Sequence, residues 1–456
     1  MDLFSPSDTR PVHFMGIGGA GMSALALLAS RRGVKVTGCD TDPAGAADVA
    51  ALGATVLAGH DPAHVAGARA VVVTAAIPAD HPELLAARAA GIPVVPRKRA
   101  LADLVNPHQV VALAGTHGKT TTTVMATEAL AAAGKDPTGL AGGRVAQWGG
   151  NARTGGDQLF VVEADEYDRA FLELRPGIAV VNNVEADHLE VYGTLGAIED
   201  AFVEFAGRAR ITLVGTDDPG ASRVAARLKN QVWRFGTGDA DLRIGQVEQG
   251  PKGTSAHVRL PDGRRVVLRL AVPGMHNILN ATAALGTVVA LGGDVDAALG
   301  ALARFTGAGR RFERLGEAKG IIFVDDYAHH PSELVATIAA ARQAFPGRRL
   351  VAVFQPHLFS RTQVHGEAMG RALAQADLAI VADVYAAREE PVAGVTGEVV
   401  AQAVGLSGGR SIFVPGRDDL DDAVAAEARS GDVVLTLGAG DVTKVGRGLV
   451  ARWADS

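Results

Sequence analysis

Cysteine is almost missing from the 456-residue chain: Cys39 is the single thiol. One cysteine excludes an internal disulfide and any cysteine-based zinc site, and it fits a reducing cytoplasm. No basic block stands out among 44 basic and 50 acidic residues, and the net charge is −6. A nucleic-acid or acidic-membrane partner is therefore not expected. No tandem repeat of 20–50 residues appears. The 56 glycines show neither a collagen period nor a long Gly/Ser tract, so they belong in turns and ligand loops. A hydrophobic share of 48% with 21% charged residues excludes disorder as the main state. Residues 11–30 carry no Asp, Glu, Lys or Arg, a run long enough to hint at a membrane span. Gly16, Gly18, Gly19 and Gly21 interrupt it, and Asp2 and Asp8 precede it where a signal peptide needs positive charge. It reads as strand, glycine turn and buried helix.

What is present is an alternation of strands and helices over a length that suggests about three domains of roughly 150 residues. Strands are expected at 12–15, 34–37, 71–74 and 94–95, with Ala-rich helices at 23–30 and 83–90; Asn106-Pro107 is a linker signal. A second unit begins with a strand at 110–114 and a helix to about Ala133. Strands at 159–162 and 178–181, a hairpin of 257–260 and 266–270 around Asp262-Gly263, and a helix at 281–291 follow. A third unit starts near 306–311 with strands at 321–324, 350–354, 378–381, 411–414 and 433–437. Such alternation implies parallel sheets, in which ligands bind outside the carboxyl ends of the strands.

The motifs sit at those ends. Gly16-Ile17-Gly18-Gly19-Ala20-Gly21 follows a strand and opens a helix, so phosphate oxygens can approach free N–H groups. Asp40 lies 22 residues beyond Gly18, where an acid can hold a ribose hydroxyl. The fingerprint does not name the nucleotide: NAD, FAD and UDP-linked ligands all offer a pyrophosphate and a ribose. Gly115-Thr116-His117-Gly118-Lys119-Thr120 resembles a phosphate-binding loop, with Lys119 for the β- and γ-phosphates and Thr120 for Mg²⁺. Leu113 stands where the eight-residue consensus has its first glycine, so the loop is the shorter form. Of the acids after the next two strands, Glu163 is the best metal ligand. Asp165, Glu166 and Asp168 follow Glu163, and Glu185, Asp187 and His188 follow the next strand; His188 either binds a second metal or caps a helix, and most of the remaining acids read as solvated loop charges. Asn277 and Asn280 are three apart, on one face of a helical turn, suited to a base edge or phosphate oxygens, although N-capping is the commoner use. Arg311 is placed to stabilise charge on a transferring phosphoryl group and Asp326 to grip a ribose.

Together these strings resemble the Mur ligases, the ATP-dependent amide-bond enzymes of peptidoglycan precursor synthesis, and the resemblance covers nearly the whole chain. Gly16 to Ser23, Gly115 to Thr122, Glu163 to Asp168 and Asp325 to Pro331 look most like the branch that acts first, joining L-alanine to UDP-N-acetylmuramate. The resemblance implies an α/β fold in three domains: a Rossmann-like UDP-sugar domain (1–108), a central P-loop ATPase-like domain (109–305) and a C-terminal Rossmann-like amino-acid domain (306–456). It implies that Gly16, Gly18, Gly19, Gly21, Met22, Ser23 and Asp40 bind the UDP-sugar, with His117 and Asn183 near the muramyl carboxylate. Gly115, Thr116, Gly118, Lys119, Thr120 and Thr121 would hold ATP phosphates, with Asn277 and Asn280 on the adenine side, Arg311 on the phosphates and Asp326 on the ribose. Thr120, Glu163 and His188 would hold Mg²⁺; Tyr327, His357 and Arg361 would receive the amino acid. Lys119, Glu163, His188 and Arg311 would carry the catalysis.

Two features bear on the branch. Leu358 stands where many relatives carry a basic residue. The later Mur ligases use a carbamylated lysine after the metal histidine, and this chain has no lysine between Lys135 and Lys229. The implied chemistry is phosphorylation of the muramyl carboxylate by ATP, then attack of the alanine amine on the acyl phosphate, with domain closure around the two substrates. The implied setting is cytoplasmic, without nucleic-acid or membrane partners, as a monomer or homodimer. Rival readings are a ligase that attaches a tripeptide to the same UDP-sugar in recycling, a nicotinamide-dependent oxidoreductase built on the first glycine fingerprint, and a non-catalytic nucleotide-binding regulator.

Overall fold

The computed structural model describes residues 3–387 and 389–454 and contains three sheets with helices packed on them. The first sheet is built from β1 (Val12–Met15), β2 (Val36–Asp40), β3 (Thr55–Ala58), β4 (Ala70–Val73) and β5 (Val94–Pro96). Its order is β3-β2-β1-β4-β5 and every pairing is parallel. The order reverses between β1 and β4, which opens a crevice at the carboxyl end of β1, where Gly16 begins the first glycine loop.

The second sheet uses β6 (Gln109–Ala114), β7 (Thr138–Val145), β8 (Gly150–Arg153), β9 (Leu159–Glu163), β10 (Ile178–Val181), β11 (Ile211–Gly215), β12 (Gln231–Gly236), β13 (Leu242–Gly250), β14 (Gly253–Arg259) and β15 (Arg265–Leu270). Its order is β15-β14-β13-β12-β11-β10-β6-β9-β7-β8. β6 lies between β10 and β9, parallel to both, so the loop after β6 is flanked by the ends of two neighbours. β14 and β15 meet at the expected Asp262-Gly263 turn, where Gly263 takes a φ of +87°. The third sheet contains β16 (Glu313–Ala318), antiparallel to β17 (Ile321–Asp326), then β18 (Leu350–Phe354), β19 (Leu378–Ala382), β20 (Ser411–Val414) and β21 (Val433–Leu437). Beyond β16 the order β17-β21-β18-β19-β20 is parallel throughout.

The chain divides into two compact units. One holds the first sheet and most of the second; the other holds the third sheet with Gln246–Ala256 and Leu268–Ile278. In the first unit the uncharged run at 11–30 finds its explanation. The helix Ala20–Arg31 buries every side chain from Met22 to Ala29. It packs on its own sheet and also against β7 and β8 of the second sheet. A helix covered on both sides has no face left for charge. Its exit is anchored as well: the Arg32 guanidinium lies 5.3 Å from the Phe160 ring centre. Among the described residues no helix is long and apolar enough to cross a membrane.

β2 begins two residues later than the apolar run at 34–37 suggests and continues through Asp40. β7, β8, β12 and β13 carry weak strand signals because glycines or charged residues interrupt them, and β11, an apolar run, is not among the expected strands. The helix Met275–Ala290 starts well before 281 and so includes both asparagines. Against the helix Leu195–Ala206, Phe171 is fully buried, stacked on Phe205 at 4.9 Å and edge-on to Phe202 at 5.1 Å. Phe171→Ala is expected to lower the stability of this unit by roughly 3–5 kcal/mol, because the cavity cannot close fully. Denaturant unfolding followed by circular dichroism measures it, and an unchanged midpoint would show that the aromatic cluster contributes nothing.

Candidate active site

β6 ends at Ala114, and the chain turns through Gly115 and Gly118 before the helix Lys119–Ala132 begins. Both glycines are required. Gly115 has φ +142° and Gly118 φ +78°, and a Cβ on Gly118 would lie 2.5 Å from Asn280 Oδ1. The loop is pinned from the segment after β10. Thr116 N donates to Asn183 O at 3.0 Å, His117 N to Asn183 Oδ1 at 2.7 Å, and Glu185 N to Thr116 Oγ1 at 2.8 Å. Asn280 braces the other side by accepting from Thr122 Oγ1 at 3.1 Å. The helix starts with N–H groups that have no intrahelical acceptor, the usual anion-binding arrangement.

Lys119 folds back over this loop. Its Nζ donates to Gly115 O at 2.8 Å, Thr116 O at 3.2 Å and Glu166 Oε1 at 2.8 Å. Burial disfavours the ammonium, but the carboxylates of Glu166, Asp165 and Glu163 outweigh burial and hold it above the ordinary lysine range. Glu166, to which the sequence reading gave no role, stands apart from the solvated acids: it is 3% exposed and its backbone carbonyl accepts from Tyr192 OH at 2.6 Å. Only the fold reveals it, because it lies three residues past the strand end. Glu163 lies beside Thr120. Its Oε1 accepts from Thr120 Oγ1 at 3.1 Å and its Oε2 from Gly142 N at 2.6 Å. A hydroxyl and a carboxylate side by side at a phosphate loop are hard oxygen donors of the kind Mg²⁺ takes. Thr121 is buried next to Thr120. His188 adopts a left-handed backbone (φ +53°), and its ring meets Asp187, Glu190 and Tyr167 rather than Glu163.

At the end of β1, Gly16 N and Ile17 N donate to Cys39 O at 2.8 and 3.1 Å. Asp40 is engaged by the loop itself, with Oδ2 accepting from Gly18 N at 2.8 Å and Oδ1 from Asp42 N at 2.9 Å. Gly19 precedes the helix as its cap, and Met22 and Ser23 are buried, Ser23 Oγ lying between Ala20 O and Asn151 Nδ2. Sequence reading missed Arg97. A Cβ on Gly21 would lie 2.8 Å from its Nη1, so a guanidinium stands at the glycine loop, 4.0 Å from Asp165. Beside it Lys98 Nζ pairs with Asp168 Oδ2 at 2.9 Å. The position of Arg97 directly after β5 was the available signal.

On the third sheet, Asp325 and Asp326 close β17. Arg310 pairs with Asp325 at 3.0 Å, and Arg310 and Arg311 both lie over the Tyr327 ring, at 5.0 and 4.9 Å. Asp326 accepts from Phe312 N at 2.7 Å and Ala328 N at 2.8 Å. Arg361 is 7% exposed, with Nη1 3.3 Å from His357 Nδ1, and the His357 ring stacks on Tyr385 at 5.7 Å. Leu358 opens the helix Phe359–Leu373 with φ +71°. Asn277 Nδ2 donates to Pro273 O at 2.7 Å.

Burial pushes the Asp326 carboxyl up to about 6, against the pull of Arg311 and the two backbone N–H groups. A raised folded value means that the protonated acid favours the fold. The contribution of Asp326 to stability is complete below its ordinary value near 4 and is lost as pH rises through about 6. Asp326→Asn is expected to flatten stability between those pH values, as read from thermal midpoints across the range; an unchanged slope would remove Asp326 as its source.

Family models for the Mur ligase catalytic domain, middle domain and glutamate ligase domain match residues 11–109, 113–288 and 310–440. A UDP-N-acetylmuramate–L-alanine ligase of Cutibacterium acnes is 46% identical, covering 99% of this chain and 97% of that protein. One of Kineococcus radiotolerans is 47% identical over 95% and 94%. Among solved structures, the UDP-N-acetylmuramate–alanine ligase of Thermotoga maritima superimposes with a TM-score of 0.85 at 29% identity, covering 98% and 99%. A murein peptide ligase of Psychrobacter arcticus gives 0.74 at 26% identity, covering 98% and 99%. With all three of its parts matched in order along an α/β chain that ends three strands in the expected phosphate-loop, acid and aspartate clusters, the chain belongs to the Mur ligase family.

Proposed function

We propose that this protein is an ATP-dependent ligase that joins L-alanine to the carboxylate of UDP-N-acetylmuramate through an acyl phosphate, in peptidoglycan precursor synthesis. The reading rests most heavily on the Lys119 loop facing the Thr120–Glu163 pair, an arrangement suited to a nucleoside triphosphate. The near-full-length likeness to ligases of that name, at 46% and 47% identity, supports the substrate pair. The domain limits 1–108, 109–305 and 306–456, a cytoplasmic setting and a monomeric or homodimeric state belong to the same proposal.

In the first step an oxygen of the muramyl carboxylate attacks the γ-phosphorus; the new O–P bond forms as the bond to the departing ADP oxygen breaks. In the second, the neutral amine of L-alanine adds to the acyl carbon, phosphate leaves with its oxygen, and the amine gives up a proton. Both reactants of the first step are anionic, so the protein must offset their repulsion. Lys119 is the charge at the loop for that task; the N–H groups that open its helix add partial positive charge. Glu166 keeps the ammonium over the loop until phosphate oxygens take its place. Thr120 and Glu163 would hold Mg²⁺, which supplies charge neutralisation on the phosphates when bound. His188 is assigned to the same metal chemistry. His117 and Asn183 take the muramyl end; Gly16, Gly18, Gly19, Gly21, Met22, Ser23 and Asp40, with Arg97, take the UDP-sugar. Asn277, Asn280, Arg311 and Asp326 are assigned to the nucleotide, and Tyr327, His357 and Arg361 to the amino acid.

Likeness to a murein peptide ligase keeps tripeptide attachment as a second reading. Phosphate release with UDP-N-acetylmuramate and either L-alanine or the tripeptide separates them: faster turnover with L-alanine is expected, and preference for the tripeptide would overturn the choice. Lys119→Ala should fold and lose about 100- to 1000-fold in turnover, the cost of one lost transition-state donor at roughly 3–4 kcal/mol. Near-unchanged phosphate release by that variant would reject the assignment of the loop.

A further inference from the structure

Under the first glycine loop lies a cluster that the ligase chemistry leaves unused. Cys39, one residue before the end of β2, is fully buried, and Glu83, at the start of the helix Pro82–Ala89, has its carboxylate completely buried. His60 and His64 reach it from the segment after β3. Cys39 Sγ lies 3.3 Å from His60 Nδ1 and 3.3 Å from Glu83 Oε2, and His60 Nδ1 lies 3.2 Å from Glu83 Oε2. His64 Nδ1 is 2.9 Å from the other oxygen of Glu83. A nitrogen of His13, Sγ of Cys39 and an oxygen of Glu83 also fall within 4.8 Å of one another.

Two observations distinguish this cluster from an ordinary buried acid with hydrogen-bond partners. The thiol, imidazole and carboxylate atoms form a nearly equilateral triangle. Tetrahedral Zn²⁺ with a sulfur at ~2.3 Å and nitrogen or oxygen ligands at ~2.0–2.1 Å separates its ligand atoms by about the same amount. And His13, wholly buried on β1, has a ring nitrogen, Nε2, with no hydrogen-bond partner among the described residues; its Nδ1 is already within 3.0 Å of Thr37 Oγ1. An imidazole without a partner is costly to bury and is explained if a ligand completes it. A single thiol excludes sites built on cysteines, not one in which histidine and carboxylate supply the other ligands.

We propose that Cys39, His60 and Glu83, completed by a histidine of the same cluster, form a structural zinc site in the first sheet. The mix of thiolate, imidazole and carboxylate selects Zn²⁺ over Mg²⁺, which takes oxygen ligands. Binding displaces the thiol proton of Cys39 to solvent and leaves the imidazoles neutral. His60 and His64, whose side chains are 22% and 18% exposed, give the ion a way in. The site is mechanically tied to the glycine loop, since the carbonyl of Cys39 accepts from Gly16 and Ile17 and the next residue holds Gly18.

Cobalt substitution tests this without reference to turnover. The full-length protein, stripped of metal by a chelator and kept in excess Mg²⁺, is titrated with Co²⁺. Because the chain has one cysteine, a thiolate-to-cobalt charge-transfer band can arise only at Cys39. The expected result is that band together with the visible bands of tetrahedral Co²⁺, at one equivalent, both abolished by one equivalent of Zn²⁺. Cys39→Ala should lose the charge-transfer band. His60→Ala, at a partly exposed position and so suited to folding normally, should weaken Co²⁺ binding by about 100-fold. Absence of the charge-transfer band at saturation, or an affinity unmoved by His60→Ala, overturns the proposal.

Discussion

The ammonium of Lys119 is the charge around which the second sheet is arranged. It projects from the first turn of a helix whose preceding loop is closed by two glycines in conformations that a side chain would disfavour. It bonds two carbonyls of that loop and Glu166 at once, so the loop, the strand before it and the acid-bearing segment after β9 take up one geometry. Without a counter-charge, a buried ammonium would be strongly destabilising. Glu166 satisfies it in a way that a phosphate can replace, which leaves a preorganised cation instead of a salt bridge that must be broken into solvent.

The first glycine loop follows a different plan. Its N–H groups at Gly16, Ile17 and Gly18 are already satisfied by the carbonyl of Cys39 and the carboxylate of Asp40. The loop is shaped by the strand beside it, and positive charge at its opening comes from Arg97, carried on a separate helix. Two phosphate-type loops in one unit thus reach similar shapes by different means, one held by a lysine and the other by an aspartate.

Strand ends were legible in the sequence wherever an apolar run met a glycine, an acid or an amide: β1, β6, β9, β10, β17 and β18 end within a residue or two of where the pattern places them. Lys119, Thr120 and Glu163 could be read for the same reason, since each is local to its strand end. Glu166 and the brace from Asn280 to Thr122 could not, because each depends on chain segments distant in sequence meeting in space; for Arg97 the one signal was its place directly after β5. Strands such as β7, with glycines through its middle, owe their state to neighbours in the sheet and not to their own side chains. The cluster of His13, Cys39, His60, His64 and Glu83 was invisible for a further reason: its members are spread from His13 to Glu83 with no motif spacing.

The helix Ala20–Arg31 is sheltered by two sheets, and the side-chain amide of Asn151 crosses from β8 to grip the carbonyl of Ala20. Residues 1–108 are consequently not a detachable module. Cut free, they would present a naked greasy rod where β7 and β8 had been, and the orphaned piece would tend to clump, so grafting the first sheet and its helices into another protein would require the second sheet, or a redesigned outer face, to travel with it.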